Sequence, residues 1–410
     1  MKKEYFYTLV TAGMSMVASL SLYKMSSYLF GTIGFAEFSL IRRVIAFMVP
    51  LFALGIGVGL PREVARINGT KNDDQKYILL KYGLAIVLAP MIAFFVLIVA
   101  IPERVALIIF SDKSYSYLLL PVGLFLFGNL INALSYAYFR GLDRIAISNN
   151  LQIINMMLVP VIIMAFFSDN VASFLRISGI VILIISLGFL LPHIRKKYRV
   201  RDTKILTGLF SYSIRRVPGD ISLELLFVIP AILTAHLAGV EQAGKVSFGL
   251  AILTIATAPL SPVSVLLLPK SMKFFNNGNL AKLKSMINFM LRFVLVTYFI
   301  ISFFMFFGAD FLVSLFLDND QLTSFIIKVI SLSIMPYSIY ILLRSIVDAG
   351  SRRAYNSFNC FIALLIFILV FAIGVGYFEI ITSMIFSIIV ALYFLGILTY
   401  LRARFIVLLS

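Results

Sequence analysis

The chain has 410 residues, 61% of them hydrophobic, with a mean hydropathy of +1.03 and a formal net charge of +17. That hydropathy excludes a soluble globular protein, and the single cysteine, Cys360, excludes an intramolecular disulfide. The charge alone would suit a nucleic-acid partner, but its distribution along the chain, with basic and acidic connectors alternating between apolar runs, argues against that.

Lys2 and Lys3 open the chain, and the apolar run behind them continues for more than twenty residues without a convincing A-x-A cleavage site. It therefore reads as a first retained span rather than a cleaved leader. Counted along the chain, twelve runs are long enough to cross a bilayer, at about 8–31, 35–60, 78–101, 117–139, 149–168, 172–192, 209–238, 244–269, 285–308, 322–346, 355–377 and 379–401. The predicted class is an all-α membrane protein of twelve transmembrane helices in two pseudo-symmetric six-helix bundles.

The connectors alternate in charge. Those after even-numbered runs carry Arg62, Arg66, Lys71 and Lys76, then Arg140 and Arg144, then the block from Arg195 to Lys204, then Lys270, Lys273, Lys282 and Lys284, and finally Arg352, Arg353, Arg402 and Arg404. Those after odd runs hold Glu103, Asp112, Asp169, Glu241, Asp310, Asp318, Asp320 and Glu379. Cations remain on the cytoplasmic side of a membrane, so both termini are expected there.

The long basic connector at 193–204 divides the runs six and six, predicting lobes at 1–203 and 204–410. Weak echoes cross that divide. Gly34 to Glu37 is matched by Gly239 to Glu241, Leu60-Pro61-Arg62 by Leu268-Pro269-Lys270, and Arg140-Gly141 to Arg144 by Ala349-Gly350 to Arg353, at offsets of 204, 208 and 209. Six spans per half means that both halves enter from one side, as parallel repeats do. Nine prolines in or beside the runs, Pro50 and Pro230 among them, permit the bends that a transporter needs more than an anchor does.

Cations inside the runs carry the functional argument, because a charge at bilayer depth costs roughly 2.5–3.5 kcal/mol on insertion scales and turns toward protein or a wet cavity. They are Lys24, Arg42, Arg43, Arg176, Arg215, Arg216, Arg292 and Lys328. Lys24, deep in the first run, either snorkels or faces a cavity, and the cavity is preferred. Arg42 and Arg43 point about 100° apart on a helix, which would turn one of them to the headgroups. Arg215 and Arg292 have both interfacial and cavity readings; Arg176 and Lys328 read as interfacial. The candidate anion-binding set is Lys24, Arg42, Arg43, Arg215, Arg216 and Arg292.

In the seventh run Arg216, Asp220 and Glu224 follow at i, i+4 and i+8, on one helical face. Arg216–Asp220 reads as a structural pair or as part of the site. Glu224, roughly 20 Å into the span at about 1.5 Å per residue, is a candidate proton or sodium site. No metal-ligand spacing surrounds His193 in the basic connector or His236, and no phosphate-binding loop appears, so neither a resident cofactor nor an enzyme activity is predicted.

With these features the chain resembles the Wzx-type O-antigen flippases of the multidrug/oligosaccharidyl-lipid/polysaccharide (MOP) exporter superfamily. The resemblance spans essentially the whole chain; its local carriers are the Gly-x-x-Glu at 34–37, Leu60-Pro61-Arg62 and Phe139-Arg140-Gly141 to Arg144. It implies a MATE-like fold, a bacterial inner-membrane location, and alternating-access transfer of an undecaprenyl-diphosphate-linked oligosaccharide to the periplasmic leaflet. Polymerase and chain-length proteins of the same pathway would be partners, and proton or sodium entry would drive export through Asp220 or Glu224. Moving two negative charges outward across 100 mV releases roughly 4–5 kcal/mol in the same direction. The alternatives are a MATE-like small-molecule exporter, whose relatives keep a more acidic cavity, and an O-antigen polymerase, for which the longest outer connector, about 102–117, is too short.

Overall fold

The structure, a computed structural model, describes residues 2–68, 74–195, 203–214, 217–317, 320–351 and 354–409. The regular elements among the described residues are all helical, which is how a chain in hydrocarbon satisfies its backbone donors without water. The chain gathers into two compact units, Met1–Ile221 and Ser222–Ser410.

The first unit contains α1 (Lys2–Ala53), α2 (Ile56–Ile67), α3 (Gln75–Ala100), α4 (Pro102–Phe110), α5 (Leu119–Gly141), α6 (Ile145–Ile153), α7 (Val159–Phe166), α8 (Val171–Ile194) and α9 (Thr203–Ile214). Although α1 runs on for 52 residues, it is two rods, because Gly31 inside it takes φ 68° and ψ −170°. Leu54 and Gly55, both at positive φ, then bend the path by 43° into α2. Gly55 and Gly59 give α9 its seat: a Cβ on either would collide with Ser213. The docking of α9 on α2 and α3 is why the compact unit ends at Ile221, beyond the 203/204 division that span counting gives.

The core of this unit joins Ile56, Leu60 and Val64 of α2, Leu79 and Leu80 of α3, Ile131, Leu134 and Tyr138 of α5, Leu190 of α8 and Leu209 of α9. Small residues set the distances between its helices. A Cβ on Gly128 of α5 would lie 2.5 Å from the Gly179 carbonyl of α8, so these two backbones touch, as glycine-lined membrane interfaces allow. Between α6 and α7 a π-helical turn, Ile154–Leu158, places Asn155 in this contact, donating to Asn132 Oδ1 at 2.8 Å and Ser186 Oγ at 3.0 Å. All three residues are buried; the asparagines serve as interhelical hydrogen-bond partners.

The second unit takes α10 (Val217–Ala238) from Ser222 onward, then α11 (Val240–Thr257), α12 (Leu260–Asn276), α13 (Leu280–Leu317), α14 (Gln321–Ile330), α15 (Ile334–Gly350), α16 (Tyr355–Gly374) and α17 (Ile380–Leu409). Its construction echoes the first. Gly239, at φ 88°, is 208 positions after Gly31 and marks the same turn between rods. Gly141 lets α5 close on Pro61 and Val64 of α2; Gly350, 209 positions later, lets α15 close on Phe275 of α12. The hinge glycines revise one pairing read from the sequence. At their offset of 208, Glu37 corresponds to Lys245 rather than to Glu241.

Among the described residues nine helical stretches are long and apolar enough to span a membrane, or up to ten with the bent pair counted as one. The twelve predicted runs exceed this count for two physical reasons. The first two runs form one continuous stretch through Gly31, and the eighth is split at Ala258–Pro259 into α11 and α12, each diluted by lysines or glutamate. The protein is a multi-pass helical membrane protein.

A polar clamp holds α11 to the start of α14. Lys245 Nζ lies 2.8 Å from Asp320 Oδ1 and 3.3 Å from Glu241, while Asp320 caps α14 by accepting from the Thr323 amide at 2.8 Å. Burial pushes the Asp320 carboxyl up, but the Lys245 hydrogen bond and then the Thr323 hydroxyl and amide hold it below its ordinary value of 3.8. A depressed carboxyl contributes stability above its unfolded pKa and loses it as pH falls through the folded one. Asp320→Ala is therefore expected to lower stability by about 1 kcal/mol through the lost cap alone. Asp320→Asn should keep the cap, and its difference from wild type should shrink as pH falls below the ordinary carboxyl value of 3.8; thermal unfolding in detergent at neutral and at acid pH measures both.

Candidate substrate-binding site

The site is built where the second rod of α1 begins. Gly34 opens it because a Cβ there would collide with Phe30. The rod then buries almost every side chain from Phe35 to Ile45, apolar Phe35, Phe38, Leu40 and Ile41 together with charged Glu37 and Arg43. Arg42 is half-buried. Neither arginine of the pair is turned outward, contrary to the expectation that one would reach headgroups, because aromatic rings close around the rod from other helices.

Those rings hold Arg42 from two sides. Its guanidinium lies 4.9 Å from the centroid of Tyr23, on the first rod, and 5.6 Å from Phe38. Tyr23 and Phe38 meet edge-on at 5.4 Å, and Phe174 of α8 backs Phe38 at 5.7 Å. A desolvated cation over aromatic faces gains about 2 kcal/mol and keeps its in-plane donors for other partners. Arg42 Nη1 is buried with no hydrogen-bond partner, and no carboxylate pairs with Arg42 among the described residues. A fixed cation with unused donors in an apolar setting is chemically an anion receptor, since Arg-to-phosphate bonds are charge-assisted and suited to two-point contact.

Each of the other predicted residues has its own setting. Lys24 follows Tyr23 in the chain, is exposed, and has no partner among the described residues. Arg215 and Arg216 lie outside the described residues, so the three-residue face they would begin is represented only by Asp220, exposed, and Glu224, half-buried, one turn apart on α10. Arg292 is exposed on α13 beside exposed Phe289 and Phe293, and belongs to the second unit. Lys328 is tied to Asp310 at 2.7 Å, and Arg176 is exposed. His193 lies in the last turn of α8 rather than in the connector, its ring 5.4 Å from both Tyr138 and Phe139. Among the described residues no group of three His, Cys, Asp or Glu side chains could hold a metal ion.

Sequence reasoning passed over Glu37 except as part of a motif. Its carboxylate is 8% exposed and accepts a hydrogen bond from Tyr117 at 3.1 Å. A second polar network, Arg402 donating to Asn359 Oδ1 at 2.9 Å with its guanidinium 4.4 Å from Tyr355, knits α16 to α17. Along the sequence only Phe38, one turn before Arg42, hinted at these arrangements; the rings against Arg402 are on α16.

No family model and no curated protein matches the chain. Solved structures do match over their full length. An inward-facing multidrug-resistance MATE-family transporter of the MOP superfamily is 13% identical, with a TM-score of 0.80 over 99% of this chain and 98% of that one. An outward-facing MATE-family transporter of the same superfamily is 13% identical, with a TM-score of 0.65 over 100% and 96%. A Vibrio cholerae MATE transporter in its bent form is 12% identical, with a TM-score of 0.64 over 99% and 96%. The fold is that of the MATE transporters.

Proposed function

We propose that the protein is a flippase of the bacterial inner membrane that carries an undecaprenyl-diphosphate-linked oligosaccharide, an O-antigen or related repeat unit, from the cytoplasmic to the periplasmic leaflet. The observation that carries this reading is Arg42, held between Tyr23 and Phe38 with a buried donor and no carboxylate partner among the described residues. A site for a lipophilic cation would place a carboxylate there; a diphosphate needs the reverse. Lys24 and Arg43 extend the cationic set along the same helix, and Arg215, Arg216 and Arg292 are assigned to it from sequence. Both facings of the MATE fold are known among its structural neighbours, which supports an alternating-access cycle. The division into six-span lobes at 203/204 and the cytoplasmic termini belong to the same proposal. So does the function as a transporter with no resident cofactor, acting beside polymerase and chain-length proteins.

The rival reading is a small-molecule exporter, favoured by the multidrug transporters that share the fold. Binding separates the two. The purified protein in nanodiscs should bind an undecaprenyl-diphosphate-linked glycan more tightly than a lipophilic cation such as ethidium, and Arg42→Ala should weaken only the first. Preferential binding of the cation, unaffected by Arg42→Ala, would favour the exporter.

Coupling is assigned to Asp220 and Glu224, with proton or sodium as the ion. Glu224→Gln keeps size and hydrogen bonding but cannot titrate, so it is expected to abolish gradient-driven export while leaving glycolipid binding within about twofold of wild type. Gradient-dependent transport measured in reconstituted Glu224→Gln decides this; normal transport would move the assignment to Asp220.

A further inference from the structure

In the second unit the guanidinium of Arg402 is fixed in place but not neutralised. Its Nε donates to Asn359 Oδ1 at 2.9 Å, and Asn359, fully buried, donates in turn to Thr399 Oγ1 at 3.4 Å. The guanidinium lies over Tyr355 at 4.4 Å, with Phe358 5.4 Å away. These contacts occupy its face and its Nε only. The two Nη groups make no hydrogen bond, and no carboxylate pairs with Arg402, among the described residues. Asp348, the carboxylate beside the start of α16, accepts from Asn356 Nδ2 at 2.8 Å instead. A guanidinium held in this way presents its two Nη groups as a fork, the geometry that meets two oxygens of a phosphate.

The setting of the fork selects among phosphates. Phe358, Phe361 and Leu365 follow at i, i+3 and i+7 on α16 and are exposed, as are Leu401 and Phe405, which flank Arg402 on α17. Phe358 both touches the guanidinium and opens the apolar strip. On a membrane helix such a strip faces acyl chains, and Arg402 stands at the basic end of its span, where cations meet headgroups. A free phosphate gains nothing from the strip, whereas a phospholipid lays its chains along it and its phosphodiester on the fork. With no carboxylate paired to the guanidinium, a headgroup that is anionic overall fits better than a zwitterionic one, whose ammonium adds a like charge. The first unit is built differently at the matching place. Counting back by the 209 positions that separate Gly141 from Gly350, His193 stands where Arg402 does, its ring among those of Tyr77, Tyr138 and Phe139.

We propose that Arg402, positioned by Asn359 and Tyr355, is the headgroup site for one anionic phospholipid, a phosphatidylglycerol-like phosphodiester whose acyl chains lie along the exposed Phe358–Phe361–Leu365 strip. The lipid is a bound component of the second unit rather than its cargo. This goes beyond the assignment of the passenger and does not depend on it.

Native mass spectrometry of the full chain, released from nanodiscs holding phosphatidylglycerol and phosphatidylethanolamine in equal amounts, tests it. One phosphatidylglycerol should stay bound to the wild type in preference to phosphatidylethanolamine. Titration with phosphatidylglycerol should show affinity roughly tenfold weaker or more in Arg402→Ala, through loss of bonds to a charged group. Affinity should be unchanged in Arg404→Ala, an exposed cation near the Tyr400 ring that no polar side chain holds among the described residues. Asn359→Leu keeps the guanidinium but frees it, and should also weaken binding. Should that variant fail to fold, Arg402→Lys decides, since an ammonium keeps the charge and loses the fork. Equal retention of the two lipids, equal binding by wild type and Arg402→Ala, equal loss in Arg402→Ala and Arg404→Ala, or full binding by the deciding variant overturns the proposal. Displacement of the lipid by inorganic phosphate would mark a site for free anions and overturn it as well. Because no glycolipid is present, failure here leaves the flippase reading standing, and failure of that reading leaves this one.

Discussion

Arg42→Ala is expected to reduce glycolipid export at least tenfold while the protein accumulates to near-normal levels. The magnitude follows from the bond removed. A hydrogen bond to a charged group contributes about 1.5–3 kcal/mol, and each 1.4 kcal/mol is a factor of ten. Folding should tolerate the change, because no carboxylate is left without its partner among the described residues. Tyr23 and Phe38 would still pack edge-on. Arg42→Lys should recover only part of the activity, since an ammonium keeps the charge but loses the planar fork. Arg176→Ala, removing an exposed cation, should be nearly silent. A glycan-export assay in cells, normalised to protein level, compares the three; equal loss in Arg42→Ala and Arg176→Ala would show that bulk positive charge, not the aromatic-held site, matters.

Gly179→Ala should destabilise the first unit by about 1–3 kcal/mol, the usual cost of overpacking a filled interface. A Cβ there would lie 2.5 Å from the Phe125 nitrogen and 2.6 Å from the Leu124 carbonyl of α5. These are backbone atoms, so relief requires the two helices to part, and that would also strain the Asn132–Asn155–Ser186 bonds. Gly188 in the same helix has open space where its Cβ would be, and Gly188→Ala should be neutral or slightly stabilising because alanine is the better helix former. Thermal unfolding of both variants in one detergent reads the contrast; equal effects would mean that α5 and α8 are not in backbone contact.

Hydropathy made the helical class legible, since among the described residues the predicted runs fall mainly on helix. It could not mark where those helices break. Gly31 carries the turn in its backbone angle, and Leu54 adopts positive φ, which its side chain gives no reason to expect. The repeated halves were visible in Leu60-Pro61 and Gly141, because close helix approach and chain exit demand particular residues. The pairing at Glu37 was misregistered by four positions because only the hinge angle fixes it. The arginines were legible as costly charges, but their environment was not. Of the rings on Arg42, Phe38 is one turn away on the same rod, but Tyr23 comes from the first rod, and Phe174 of α8 backs Phe38, through tertiary packing that a reading along one helix does not contain.

Transfer of a lipid diphosphate-linked glycan is read out by reconstitution. Proteoliposomes loaded with an undecaprenyl-diphosphate-linked oligosaccharide in a single leaflet, under an imposed ion gradient, report transfer by lectin or enzyme access from the other side. Gradient-accelerated transfer of the glycolipid is expected, falling at least tenfold in Arg42→Ala, with no comparable movement of a lipophilic cation. Cation transport that is indifferent to Arg42→Ala, with the glycolipid left in its original leaflet, would contradict it.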